Sequence, residues 1–236
     1  YDLIVRPFGA KGVASSLREF TIAAANQHHG MQAIERFGWE RTGRRDFDGD
    51  GVTLELSAGH VTSMVLFQAS LSPPAAFDAA HPGFDVFERI ECSACHTPQM
   101  PLADATFSEP GPYNRPGTMD ATETENIVAL PLGAGGDSIA AFTDLRRHVI
   151  CDESWPRLCN ERLSQDNVPT DEFMTPPLWN LAHTGPWCHR GDCASVTEAI
   201  LAHGGEATRS RLNFEALPEG DKRLVVSFLL SLGADQ

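Results

Sequence analysis

Hydrophobic positions recur at helical spacing in five stretches, separated by long runs with little periodicity. Leu17, Phe20 and Ala24 predict a helix over 15–28, with Ser15 or Ser16 as cap, Glu19 completing a capping box and Gly30 as the stop. Val61, Val65, Leu66 and Leu71 mark the apolar side of a second helix over 58–71, with Met64 and Phe67 read as core. Pro82 suits a helix start, and Phe84, Phe87 and Ile90 recur every three residues behind it as an apolar wall. Ser195 and Glu198 bracket the start of a helix over 195–204 that Gly204 stops. The last helix, 218–232, buries Leu224, Val225, Phe228, Leu229 and Leu232.

Between these lie irregular segments. Residues 1–12 read as an extended entry with a Gly turn, 97–140 as mostly loop, and 138–149 as a short helix ending at His148. SPPAAF at 72–77 breaks the chain and places a domain boundary near 72–82. The pattern predicts a mainly α fold with long loops and no internal repeat. An irregular run as long as 97–140 inside a compact domain usually wraps something.

The strongest chemical signal is CSACH at 92–96. Two thiols two residues apart, followed at once by a histidine, form the attachment signal for a c-type haem. Cys92 and Cys95 would bond the porphyrin vinyl groups and His96 would ligate the iron. The competing reading is a redox dithiol or half a zinc site. A zinc site needs a second pair at ligand spacing, and Cys188 and Cys193 have four residues between them with a basic insert. For the other axial position His203 is the first choice, since it follows the apolar Ala199–Ile200 face and precedes two glycines that allow close backbone approach. His148 is second and Met174 third, and a plain surface His203 is the alternative. His28 and His29 at the end of the first helix are a polar terminus or a distal ligand to a haem contributed from outside the chain.

DFDGDGVTLE at 46–55 repeats Asp at alternate positions. Asp46, Asp48 and Asp50, the carbonyl of Val52 and Glu55 would supply oxygens to Ca2+, in a loop shorter than an EF-hand. The alternative is a solvated acidic turn.

A chain of 236 residues, 42% hydrophobic, can bury a real core. Its net charge of -14 argues against nucleic acid and against an anionic membrane surface. No segment is long and apolar enough for a transmembrane helix. Four cysteines remain beyond the haem pair. Cys151–Cys159 and Cys188–Cys193 are the favoured pairings, with buried free thiols as the alternative. Disulfides and covalent haem both place the protein in a periplasmic or extracellular compartment. The absence of a signal peptide and the start at Tyr1 suggest missing upstream sequence.

FTDLRRH (142–148), TPPLWNLAHTGPWCHRG (175–191), TEAILAHGGEA (197–207) and LVVSFLLSL (224–232) together resemble the di-haem oxidoreductases often called thiol-oxidoreductase-like. These are relatives of bacterial di-haem cytochrome c peroxidases and of MauG-type enzymes. RPFGAKGVASSLREF, HHGMQ and the DGDGV loop are similar to that family's sequence between its two haem motifs. The resemblance is collinear over nearly the whole chain. It implies a cytochrome-c-like haem domain over 82–236, with 1–75 as the end of an N-terminal cytochrome-c-like domain. It also implies two haems with calcium between them. His203 stands where the peroxidases have Met and the MauG-type enzymes have Tyr, which implies a bis-histidine iron here. The first haem motif is absent, so a second haem would come from upstream sequence or another chain. The family's HDG is replaced by Cys188-His189-Arg190-Gly191.

Three functions follow. The first is a bis-His low-spin haem that relays electrons to or from a second haem or a redox partner protein. The second is the C-terminal half of a peroxidase-like di-haem oxidoreductase, and the third a structural subunit of a multihaem complex.

Overall fold

The structure is a computed structural model that describes residues 4–74, 76–114, 126–132 and 138–233. Parts of the entry segment and of the 97–140 loop therefore lie outside the described residues. In chain order the elements are α1 (Leu17–His29), α2 (Ile34–Phe37), α3 (Trp39–Thr42), α4 (Ala58–Ala69), α5 (Pro82–Arg89), β1 (Met100–Pro101), β2 (Thr106–Glu109), β3 (Asn126–Ala129), β4 (Ser138–Ile139), β5 (Arg147–Val149), β6 (Glu172–Met174), α6 (Val196–Ala202), α7 (Thr208–Glu215) and α8 (Glu219–Ser231).

The mainly α expectation is corrected: 37% of the structure is helical and 13% is strand. Among the described residues there are three antiparallel pairs, β1 with β4, β2 with β3 and β5 with β6, and β1 to β5 occupy segments read as loop or helix. In place of the short helix over 138–149, β5 pairs Arg147 with Met174 and Val149 with Glu172. These strands are two to four residues long, too short for period-two alternation to register.

The chain divides into two compact units. The first comprises residues 1–9, 14–72 and 104–132. Here Ser16 caps α1 by accepting from the Glu19 N–H, and Glu19 reaches back to the Ser15 N–H at 2.9 Å. Gly30 ends the helix in the left-handed region at φ 68°. Ile22 and Ala25 of α1 and Val61 and Val65 of α4 form the core. The expected apolar side of α4 is narrower than read, because Phe67 is 65% exposed and Leu71 55% exposed. Arg18 is fully buried and fully engaged. Its Nε and Nη2 bond Glu35, Nη1 bonds Thr62 Oγ1 at 2.9 Å and Glu109 at 3.1 Å, and Nη2 also bonds the Ala58 carbonyl. A buried charge so matched is tolerated, whereas removing one partner strands the other.

The second unit comprises residues 10–13, 73–103 and 133–236. Its core is the crossing of α5 and α8. Val86, Phe87 and Ile90 pack with Val225, Phe228 and Leu229, and Phe142 joins them from the loop before β5. Burial of each such side chain contributes about 1.5–3 kcal/mol. The helices meet at Gly83, where a Cβ would lie 2.2 Å from the Leu224 carbonyl oxygen. Lys11 is buried against the 169–173 segment. Its ammonium bonds the carbonyls of Pro169, Thr170 and Glu172 and lies 3.4 Å from the centre of the Phe173 ring. Disulfides Cys151–Cys159 and Cys188–Cys193 close two loops, as the favoured pairing has it.

Candidate functional site

The site starts where α5 stops. Glu91 takes φ 66°, turning the chain out of the helix, and Cys92–Ala94 make one tight helical turn. The Cys92 carbonyl accepts from the Cys95 N–H at 3.4 Å and from the His96 N–H at 3.0 Å. That turn brings both thiols and the imidazole onto neighbouring positions. Cys92 and Cys95 are the free cysteines among the described residues. Burial, and then the neighbouring Cys95, push the Cys92 thiol up to about 12. Cys95 is raised by burial and by the charges of Asp144 and Glu206.

His96 Nδ1 lies 2.9 Å from the Phe142 carbonyl oxygen, and His203 Nδ1 lies 2.7 Å from the Ala199 carbonyl oxygen. A carbonyl only accepts, so in both rings Nδ1 carries the proton and Nε2 presents its lone pair. Neither Nε2 has a hydrogen-bond partner among the described residues. This is the tautomer in which a metal-ligating imidazole is held. His203 is close enough to His96 to oppose its protonation. Burial, and then His203, lower the His96 imidazole to about 4. Burial also lowers His203.

His203 is the residue that ends α6, one position before the expected Gly204 stop. Its carbonyl accepts from Arg211 Nε at 2.8 Å, and the Arg211 guanidinium sits 4.0 Å over the Trp155 ring. Gly204 and Gly205 do permit a close approach, but its object is protein backbone. A Cβ at Gly205 would lie 2.2 Å from the Val149 carbonyl oxygen, and one at Gly204 3.0 Å from that of Trp155.

The other candidates are placed differently. Both nitrogens of His148 are engaged, Nε2 with Asp144 at 2.9 Å and Nδ1 with Glu206 at 2.8 Å, so it offers no lone pair. Burial disfavours its charge, but the two carboxylates outweigh burial and raise its pKa. Met174 is buried in β6. His28 and His29 are exposed. In the first unit, carboxylate oxygens of Asp46, Asp48 and Asp50 lie within 4.8 Å of one another. Asp46 accepts from the N–H groups of Gly49 and Gly51, at 2.7 and 3.0 Å, and Asp50 accepts from that of Val52. Glu55 lies outside that group and accepts from the Gln32 N–H.

Sequence reasoning passed over the Phe142 carbonyl, Arg211, and the pairing of Asp144 and Glu206 with His148. Glu206 is 58 positions from His148, and no local pattern announces such a contact. A 570 Å³ groove along α8, lined by Thr197, Phe214, Lys222 and Leu230 among others, includes none of the candidate ligands.

The donor set fits a covalent haem: two free thiols on one turn and two imidazoles with open Nε2. The indole N–H of Trp187 is also buried without a partner among the described residues, in a ring that packs on the α5–α8 core and against the cluster that contains Cys151 and Cys193. An orphaned buried donor costs about 1–3 kcal/mol unless another group accepts from it. Over residues 9–232 the chain matches the family described as "Di-haem oxidoreductase, putative peroxidase". The chain belongs to the di-haem oxidoreductase family. No curated protein and no solved structure matches it. Haem is the cofactor of a di-haem oxidoreductase, and redox chemistry of peroxidase-like type is the function the family carries.

Proposed function

We propose that this chain is an electron-transfer module of a di-haem oxidoreductase, with one c-type haem attached at Cys92 and Cys95 and its iron held between His96 and His203. The observation that carries this reading is the pair of imidazoles, each fixed by a backbone carbonyl with Nε2 open. When bound, the haem supplies a one-electron ferric/ferrous couple. Phe142 and Ala199 keep the two rings in the ligating tautomer. The turn after α5 holds the two thiols that would be attached, and Cys92, Cys95, His96 and His203 are all partly buried. Held by both imidazoles, an iron there would have no open site, so the module would relay electrons and leave substrate chemistry to a second haem or a redox partner protein. Family membership favours the second haem, in a peroxidase-like assembly, over a purely structural role.

Two further parts belong to this reading. The Asp46–Asp48–Asp50 loop, with the Val52 carbonyl, is assigned to Ca2+, supported by the clustered carboxylates and by the backbone bonds that shape the turn; Glu55 stands apart from that cluster. The two disulfides support an oxidising, periplasmic or extracellular compartment. Among the described residues no helix is long and apolar enough to cross a membrane.

The test is the optical spectrum of the purified protein, ferric and dithionite-reduced, with haem counted per chain. One covalent haem, low-spin in both states and unreactive to peroxide, is expected. A high-spin ferric band from the CSACH haem would overturn the ligand assignment. A melting temperature unchanged by calcium and by a chelator would overturn the calcium loop.

A further inference from the structure

One segment carries the carbonyl that orients His96, another carries His203 itself, and one imidazole joins the two. Residues 142–149 begin at Phe142, whose carbonyl holds His96. Residues 203–206 begin at His203 itself. His148 lies between them, with Nε2 2.9 Å from Asp144 Oδ2 and Nδ1 2.8 Å from Glu206 Oε2. Both partners are carboxylate oxygens, which accept, so both ring nitrogens donate and the ring carries a positive charge. The same seam is stitched by backbone. Glu206 Oε1 accepts from the Val149 N–H at 2.9 Å, the Ile150 carbonyl from the Gly204 N–H at 2.8 Å, and Asp152 Oδ2 from the Gly205 N–H at 3.1 Å. The contact at Gly205 is too close for any side chain.

We propose that His148 is a positioning residue, a charged clasp between Asp144 and Glu206 that sets the mutual orientation of His96 and His203 and balances carboxylate charge beside the iron. This rests on the bis-histidine reading above. His148 touches neither ligand through a hydrogen bond; it acts through the loops that carry them. Cys95 Sγ also lies within 4.8 Å of the Asp144 and His148 donor atoms, which places the clasp at the attachment turn. Two carboxylates and one imidazolium sum to one negative charge. Without the imidazolium the sum is two, which favours the oxidised iron.

The experiment compares wild type, His148→Gln and His148→Arg as holoproteins with haem attached. Midpoint potential, ferric electron paramagnetic resonance and the rate of cyanide binding are measured on each. His148→Gln is expected to shift the reduction equilibrium about tenfold toward the ferric state, about 59 mV for one electron. It should also move the ferric g values and speed cyanide binding. His148→Arg, which keeps a charge able to bond both carboxylates, should return the potential toward wild type. A lowered melting temperature with potential, g values and cyanide rate all unchanged would reduce His148 to a structural strut and overturn the proposal. Failure of the ligand reading is seen separately, in the wild type: a spectrum that is not bis-histidine removes both, before any variant is compared.

Discussion

The Phe142 carbonyl accepts from His96 Nδ1 at 2.9 Å, while the Phe142 ring is 1% exposed in the α5–α8 core and its backbone sits at φ 49°. One residue thus anchors the ligand turn to the core through two different groups. A non-glycine residue in the left-handed region costs about 1–3 kcal/mol and persists only where its surroundings enforce it. Here the ring supplies that enforcement, packing against Phe87 and Phe228 with centroids 5.9 Å away in each case. Phe142→Ala should destabilise the protein by about 3–5 kcal/mol. The carbonyl remains, so haem attachment and the low-spin spectrum should survive. Guanidinium unfolding followed by far-ultraviolet circular dichroism, with the visible spectrum in parallel, separates the two effects. Loss of the low-spin spectrum at full stability would contradict the division of roles.

The close crossing of α5 and α8 makes Gly83 irreplaceable by a larger residue. A Cβ there would stand 2.2 Å from the Leu224 carbonyl oxygen and 2.7 Å from Phe228 Cβ. Both neighbours are fixed parts of α8, so the helices must separate. Gly83→Ala should cost about 1–3 kcal/mol through overpacking, despite the better helix propensity of alanine. The same unfolding measurement checks it, and a neutral or stabilising result would mean that the crossing is looser than drawn.

Much of this arrangement was legible in the chain, and the residues that were not share one cause. Ser16 with Glu19 and Ser195 with Glu198 announce helix starts because their partners are three or four positions away. CSACH is likewise a local turn, and both disulfides close local loops. Phe142, Arg211 and Glu206 could not be read, because each acts on a residue brought close only by folding. The carbonyl role of Phe142 is also independent of residue type. The pairing of β5 with β6 spans a long polar excursion, and His148 inside it looked like the end of a helix. The exposed Phe67 shows the other limit: periodicity locates a face, and the available partners decide how wide the buried stripe becomes.

Acid should act through Glu161 and His189. His189 Nε2 lies 2.6 Å from Glu161 Oε2 and links the loop after Cys159 to the Cys188–Cys193 loop. That hydrogen bond, with the N–H groups of Arg162 and Leu163, lowers the Glu161 carboxyl from 4.5 to about 2, and the buried ammonium of Lys11 faces it from the 10–13 segment. A depressed carboxyl stabilises the fold above its unfolded pKa, and that contribution fades as pH falls through the folded value. Glu161→Gln should therefore be less stable than wild type at neutral pH. The gap should close between pH 4.5 and about 2. Denaturant midpoints for both proteins across that range test it; a gap independent of pH would assign the difference to packing.

His203 is the residue on which the electron-transfer reading turns. Its ring is fixed at Nδ1 by the Ala199 carbonyl, and its own carbonyl is fixed by Arg211. Removing the side chain leaves the backbone anchors, the CSACH turn and His96 in place. His203→Ala should therefore keep one covalent haem per chain while its ferric spectrum changes from low-spin to high-spin, and cyanide and carbon monoxide should bind far faster than they do to wild type. His148→Ala makes the control. If His148 supplied the sixth ligand, that variant and not His203→Ala would open the iron. Its two carboxylate partners argue that it will instead leave the spectrum low-spin. An unchanged low-spin spectrum in His203→Ala would remove His203 from the iron and leave the buried Met174 as the next ligand to test.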